Sequence, residues 1–355
     1  MSERPSSRSG DRSMIRSRVR RNALGAAIAL CLAASCAVVG AAAGANDIAP
    51  KAVSDSDEPI GGIDAGSPPA TTATHVNAMS APTRHVLIDG HRIAYRRFGQ
   101  GQPLLMATRF RGTLDTWDPL FLDELGRTRE VVLFDYPGIG HSKGDQPDDF
   151  AEVTAFIESL RQALALDSFA LLGWSWGGLA AQAYTLEHPQ RVTRLVLLAT
   201  NPPGELEVPL QPTFLERALK PVTDRADEDV LFFEPRSPRS LELAGESHAR
   251  IHARPDVAGR IPSTPEQFQR YFDAAGAFHA DAENRRSRLA QLDTPILVIS
   301  GDHDTSTAGQ NWFPLIGRLR NAQFVYYSET GHAPHHQYPR RTAALIVRFL
   351  GENAD

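Results

Sequence analysis

The sequence predicts an α/β fold: a mostly parallel sheet with helices on both faces and a helical lid inserted after the sixth strand. Two observations carry this expectation. From His85 onward, short apolar runs alternate with amphipathic stretches, as they do when strands are buried on both faces and joined by crossover helices. One long interval, from about Pro202 to Asp293, breaks the alternation with polar and amphipathic sequence interrupted by prolines and contains no strand-like run.

The elements follow in order. Val86 and Ile88, then Ile93 and Tyr95, alternate around Asp89-Gly90, a pair that accepts the positive φ values of a tight hairpin turn. Four further runs, Leu104 to Ala107, Val131 to Phe134, Phe169 to Leu172 and Leu195 to Leu198, complete six strands ahead of the long interval. Ile296 to Ile299 and Phe324 to Tyr327 follow it. Val153, Phe156, Ile157, Leu160 and Leu164 recur at the spacing of one helical face, and Asp118-Pro119 reads as an N-cap with proline at the first helical position. The ordered domain is therefore expected over 85–353, with the lid at about 202–293.

The chain ahead of that domain reads differently. Seven arginines, Arg4 to Arg21, precede an uncharged Ala/Gly/Leu/Val run from Ala23 that ends in small residues at Ala43-Gly44-Ala45. Basic segment, apolar segment and small-residue end are the order of a secretory signal peptide, here 1–45, and imply a periplasmic or secreted protein. An uncleaved membrane anchor is the other reading, though a run so rich in Ala and Gly is weakly apolar. Arg20-Arg21 leaves a twin-arginine export route open. Residues 46–84, rich in Ala, Pro, Ser, Thr, Asp and Gly, have neither a helical nor a strand period and are expected to be a disordered linker.

Composition then excludes several classes. Both cysteines, Cys31 and Cys36, lie in the apolar run, so removal of the leader removes every thiol, disulfide and Cys-based zinc site. The leader also carries seven basic and two acidic residues, so the whole-chain charge of −5 becomes −10 for the remainder, which argues against a nucleic-acid partner. No glycine-rich phosphate loop or cofactor fingerprint is present, and no cofactor or metal is expected. A membrane is a partner only if the leader is retained.

Gly173-Trp174-Ser175-Trp176-Gly177 fits G-x-S-x-G and lies between an apolar strand and a helix beginning near Leu179. That setting is a nucleophile elbow, in which small flanking residues permit a strained turn that lifts the serine hydroxyl above the sheet. With Phe134-Asp135-Tyr136-Pro137-Gly138-Ile139-Gly140-His141-Ser142, Gly301-Asp302-His303-Asp304 and Gly331-His332, it makes the sequence from about His85 to Leu350 resemble the α/β-hydrolase superfamily, in particular its serine esterase and non-haem haloperoxidase-like members.

The resemblance implies a Ser-His-Asp triad with Ser175 as nucleophile and His332 as base. Asp302 and Asp304 both lie in the acid's loop, and the family's Gly-x-x-Asp spacing favours Asp304. A serine hydroxyl needs such a base within reach, and the base needs a carboxylate to fix its tautomer. Asp135 and Ser142 are implied to be structural. His303 is read the same way, and His335 and His336 as surface or pocket-rim residues. The oxyanion would be held by the N–H groups of Trp176 and Phe110. Where the family most often reads His-Gly-Phe, this chain has Thr108-Arg109-Phe110, which puts unusual backbone angles on Arg109.

Arg109 and Arg111 have two readings, recognition of an anionic substrate group or solvation and pairing with Asp115 or Asp118. Trp174 and Trp176 either wall an apolar pocket or pack. Phe232, Phe233, Phe268, Tyr271, Phe272 and Phe278 line the pocket or form the core of the lid. The implied function is hydrolysis of a small ester-like substrate through an acyl-enzyme. Perhydrolase, C–C or lactone hydrolysis, and a non-catalytic binding role on the same fold, are the alternatives.

Overall fold

The computed structural model describes residues 76–351. The signal peptide expected at 1–45, both cysteines and most of the linker expected at 46–84 lie outside the described residues. The described part of that linker is not a tether. Asn77 and Ser80 hydrogen-bond each other across a turn, the Ala78 N–H donates to Asp123 at 2.7 Å, and Ala78 and Ala81 are buried. Two small apolar residues in a stretch without period carry no sequence signal of burial.

Eight strands form one sheet in the order β1-β2-β4-β3-β5-β6-β7-β8. β1 (Arg84–Ile88) and β2 (His91–Gly99) form the predicted hairpin, with Asp89 at φ 50° and Gly90 at φ 81°. Both turn residues are left-handed, as a two-residue turn that follows the strand twist requires. β2 pairs antiparallel with β4 (Arg129–Phe134), and every later pairing is parallel. The remaining strands are β3 (Gln102–Ala107), β5 (Phe169–Trp174), β6 (Val192–Leu198), β7 (Ile296–Gly301) and β8 (Ala322–Tyr327). Most begin a residue or more ahead of their apolar runs, because the added residues, such as Arg129, Glu130 and Gln323, are not fully buried.

Helices cover both faces. α1 (Pro119–Gly126), capped by Asp118 through the Leu120 N–H, packs with the C-terminal helix Pro339–Gly351 on one side. α2 (Phe150–Ala163) and α3 (Trp176–Glu187) pack together on the other. Leu104, Leu172 and Val196 enter one core cluster, while Leu105, Leu171 and Leu195 enter the other, so alternate side chains of each strand feed opposite faces.

Between β6 and β7 lie α4 (Pro212–Ala218), α5 (Arg225–Phe232), α6 (Pro238–Ile251), α7 (Pro265–Ala280) and α8 (Arg285–Ala290). The insertion is not uniform. Tyr271, Ala274 and Phe278 of α7 and Leu289 of α8 belong to the main core, whereas Phe214, Ala218 and Leu231 of α4 and α5 form a small cluster of their own. The segment read from sequence as one lid thus divides into a core-packed part and a cap. Among the described residues no helix is long and apolar enough to cross a membrane.

Parallel pairing puts the carboxyl ends of β5, β7 and β8 on one edge of the sheet. Ser175 directly follows β5, Asp304 lies three residues past β7, and His332 follows β8. Residues far apart in sequence meet there because the strands share a direction.

Candidate active site

Ser175 sits at φ 58°, ψ −121°, a conformation that costs a non-glycine residue about 1–3 kcal/mol and persists only where its surroundings impose it. The surroundings are backbone. The Ser175 N–H donates to the Leu198 carbonyl at 2.9 Å, and the Thr200 hydroxyl donates to the Ser175 carbonyl at 2.7 Å. The glycines of the motif are required by close approach: a Cβ on Gly173 would lie 2.3 Å from the Gly177 carbonyl oxygen, and one on Gly177 would lie 2.2 Å from that of Ala107. The turn is therefore pressed against the end of β3, and the loop carrying Arg109 and Phe110 shares a cavity with Ser175.

His332 Nε2 lies 2.8 Å from Ser175 Oγ, and its Nδ1 lies 2.8 Å from Asp304 Oδ2. All three residues are buried. Asp304 is fixed in turn, because its Oδ1 accepts the N–H groups of Ser306 and Thr307, each at 2.8 Å, and its Oδ2 accepts the Thr307 hydroxyl. Burial works against its charge, but the facing His332 and these hydrogen bonds hold the carboxyl below its ordinary pKa. Asp302 points elsewhere, to His303 at 2.7 Å and the Thr330 N–H at 3.2 Å. Of the two aspartates in this loop, Asp304 is the one bonded to His332.

Asp135 and Ser142 hold the neighbouring loops. The Asp135 carboxyl accepts the Leu114 and His141 N–H groups, and the Ser142 hydroxyl donates to the Asp135 carbonyl. Burial raises the Asp135 pKa to about 7 against the pull of those two hydrogen bonds.

In the loop after β3, the Phe110 N–H has no hydrogen-bond acceptor among the described residues, and the Phe110 ring is clamped by Phe268, Tyr271 and Phe272. Trp176 is the first residue of α3, so its N–H belongs to the helix's unpaired first turn. The strain expected at Arg109 is found two residues on, where Arg111 has φ 59°. Arg111 is buried and donates to the carbonyls of Pro262, Ala218, Lys220 and Pro221 at 2.6–2.9 Å. It pairs with neither Asp115 nor Asp118; it ties the cap to the catalytic edge and also borders the cavity over Ser175. Asp115 instead pairs with Arg96 and His141, and Asp118 with Arg250.

Arg109 does face the cavity. Its guanidinium lies over the rings of Phe232 and Trp174, donates to the Phe110 carbonyl, and has its pKa lowered to about 10 by burial and by Arg111. The cavity has a volume of about 40 Å³ and is walled mainly by Phe110, Phe214, Ala218, Leu231, Phe232 and Ile261, with Arg109, Arg111, Glu228, Ser175 and His332. Phe214, Glu228 and Leu231 were not singled out from sequence, where nothing tells which face of a cap helix turns inward. Of the aromatics that were, Phe232 lines the cavity, while Phe268, Tyr271 and Phe278 are core.

Trp174 and Trp176 are core residues and not cavity walls, with indole N–H groups donating to the carbonyls of His332 and Tyr271. His335 and His336, expected at the surface or a pocket rim, are buried against Trp174, where burial drives both pKa values well below the ordinary histidine value, and His336 lines a second, neighbouring cavity. Neither they nor His303 contact Ser175.

A model of the alpha/beta hydrolase fold matches residues 103–339. The chain belongs to the α/β-hydrolase fold family. This α/β hydrolase is 26% identical over 243 residues to the biotin biosynthesis bifunctional protein BioHC of Teredinibacter turnerae, covering 66% of this chain and only 42% of that protein. It is 26% identical over 256 residues to the pimeloyl-[acyl-carrier protein] methyl ester esterase of Nitrosomonas europaea, covering 68% of this chain and 93% of that one. Among solved structures, an alpha/beta hydrolase fold protein from Chitinophaga pinensis superimposes with a TM-score of 0.67 at 24% identity, covering 78% of this chain and all of that one. At that identity the likeness speaks for the fold alone.

Proposed function

We propose that this α/β hydrolase is an exported serine hydrolase that cleaves a small ester-like substrate through an acyl-enzyme on Ser175. The observation that carries the reading is the hydrogen-bonded series from Ser175 Oγ through His332 to Asp304, with both contacts at 2.8 Å. Ser175 Oγ attacks the substrate carbonyl carbon while its proton passes to His332 Nε2. Asp304 keeps the Nδ1 proton in place and stabilises the imidazolium. The tetrahedral oxyanion is held by the N–H groups of Phe110 and Trp176. Its collapse breaks the bond to the leaving alcohol, which takes the proton from His332. Water then adds to the acyl carbon, gives a proton to His332, and releases the acid as that proton returns to Ser175.

The walls of Phe110, Phe214, Leu231 and Phe232 favour a compact apolar acyl or alcohol group. An ester-cleaving relative supports the bond class. Export to the periplasm or beyond is supported by the order of basic, apolar and small residues in 1–45. The test is hydrolysis of p-nitrophenyl acetate and butyrate by the wild type, Ser175→Ala and His332→Ala. Loss of about 10⁴-fold or more in kcat with each folded variant is the expected result. Undiminished turnover in Ser175→Ala removes the proposal.

A further inference from the structure

A second cluster of donor atoms lies in the cap. Glu228 is on α5, His248 is on α6, and His252 is the residue that ends α6. Residues four apart share one side of a helix, so the two imidazoles face the same neighbour. His248 Nδ1 lies 2.6 Å from Glu228 Oε2 and His252 Nε2 lies 3.4 Å from Glu228 Oε1, and one donor atom of each residue lies within 4.8 Å of the other two. Hydrogen bonding alone accounts poorly for this. The second contact is long for an N–H···O bond, and the two rings lie 4.2 Å apart at 34°, close enough for both to reach one shared ion.

We infer that Glu228, His248 and His252 form a binding site for a divalent transition-metal ion of the zinc class. Two imidazole nitrogens and one carboxylate oxygen are donors that such an ion takes at about 2.0–2.2 Å, and three protein ligands leave one position of a tetrahedron for an exogenous ligand. A tetrahedral ion holds its ligand atoms about 3.4 Å apart, and the Glu228 oxygens lie 2.6 and 3.4 Å from the two imidazole nitrogens. A small cavity of about 30 Å³, lined by all three residues with Arg109 and His336, adjoins the cluster. Arg109 Nε and His336 Nε2, on two of the residues that line it, are buried without a hydrogen-bond partner among the described residues. The bound ion ties α5 to α6. Because Glu228 also lines the cavity over Ser175, the ion neutralises the acid in that wall.

The test uses the untagged full chain, stripped with a chelator. Zn²⁺ is titrated calorimetrically and Co²⁺ is followed by its visible d–d bands. The site predicts one ion per chain, a rise in Tm on loading, and at least about tenfold weaker binding in His248→Ala and in His252→Ala. Glu228→Gln, nearly isosteric, does the same and guards against an alanine variant that fails to fold, with folding checked by circular dichroism. His85→Ala, on the exposed β1 strand, binds as the wild type does. Absence of stoichiometric binding, or binding that the folded His248, His252 and Glu228 variants leave unchanged, overturns the inference.

Discussion

Replacing Asp304 by Asn tests the site more sharply than deleting a side chain, because the geometry dictates which way the amide turns. Oδ1 of Asp304 accepts two backbone N–H groups, from Ser306 and Thr307, so the amide oxygen must take that position. The NH₂ then takes the place of Oδ2 and faces His332 Nδ1. A donor there obliges Nδ1 to accept and moves the ring proton to Nε2, the atom that lies 2.8 Å from Ser175 Oγ. His332 then has no lone pair for the serine proton. Loss of the correct tautomer is worth roughly 10⁴ in kcat in such a triad, or about 5 kcal/mol of transition-state stabilisation. KM and Tm should change little, since size and most hydrogen bonds are kept. Asp302→Asn serves as the internal comparison, because the Asp302 carboxylate bonds to His303 and the Thr330 N–H and its loss should cost less than about twofold. Steady-state hydrolysis of p-nitrophenyl butyrate by both variants decides the matter. Asp304→Asn within tenfold of wild type, or a collapse in Asp302→Asn, refutes the assignment of the acid.

Three further outcomes follow from the packing. Gly177→Ala places a Cβ 2.2 Å from the Ala107 carbonyl oxygen and 2.5 Å from that of Thr108, so thermal unfolding should show a loss of about 3 kcal/mol or more, or no soluble protein. Arg111→Met leaves the carbonyls of Pro262, Ala218, Lys220 and Pro221 without their shared donor; a loss of about 3 kcal/mol in urea unfolding and faster proteolysis within 205–262 are expected. Asp135 has its folded pKa raised to about 7 by burial, so its neutral form stabilises the fold and that contribution is lost as pH rises from about 4 through 7. The stability advantage of the wild type over Asp135→Asn should therefore narrow, by up to about 3 kcal/mol, between urea midpoints taken at pH 5 and 8.

The strands were legible because burial on both faces forces continuous apolar runs, as at Leu104 to Ala107 and Ile296 to Ile299, and because a turn such as Asp89-Gly90 has its own chemistry. The elbow was legible for a similar reason. Its glycines meet backbone, and only glycine fits there. What the sequence did not disclose are the contacts set by distant elements. Arg111 looks like any surface arginine until α4 and the 262 region bring four carbonyls to it. His335 and His336 read as a polar tract, but packing on Trp174, Trp117 and Phe121 buries their rings. The division of the insertion depends on which helix face meets α3, and a mixed sequence such as that of α7 does not reveal it. Glu228 and Phe214 reach the cavity only through the same tertiary placement.

The central claim is that Ser175 is the nucleophile, and covalent capture tests it most directly. The folded protein is treated with a fluorophosphonate probe, and the modified peptide is located by mass spectrometry. The account predicts stoichiometric labelling of the peptide spanning Gly173 to Gly178, on Ser175, which Ser175→Ala abolishes and Asp304→Asn slows by orders of magnitude. Labelling of another residue, or none in folded protein, would contradict it.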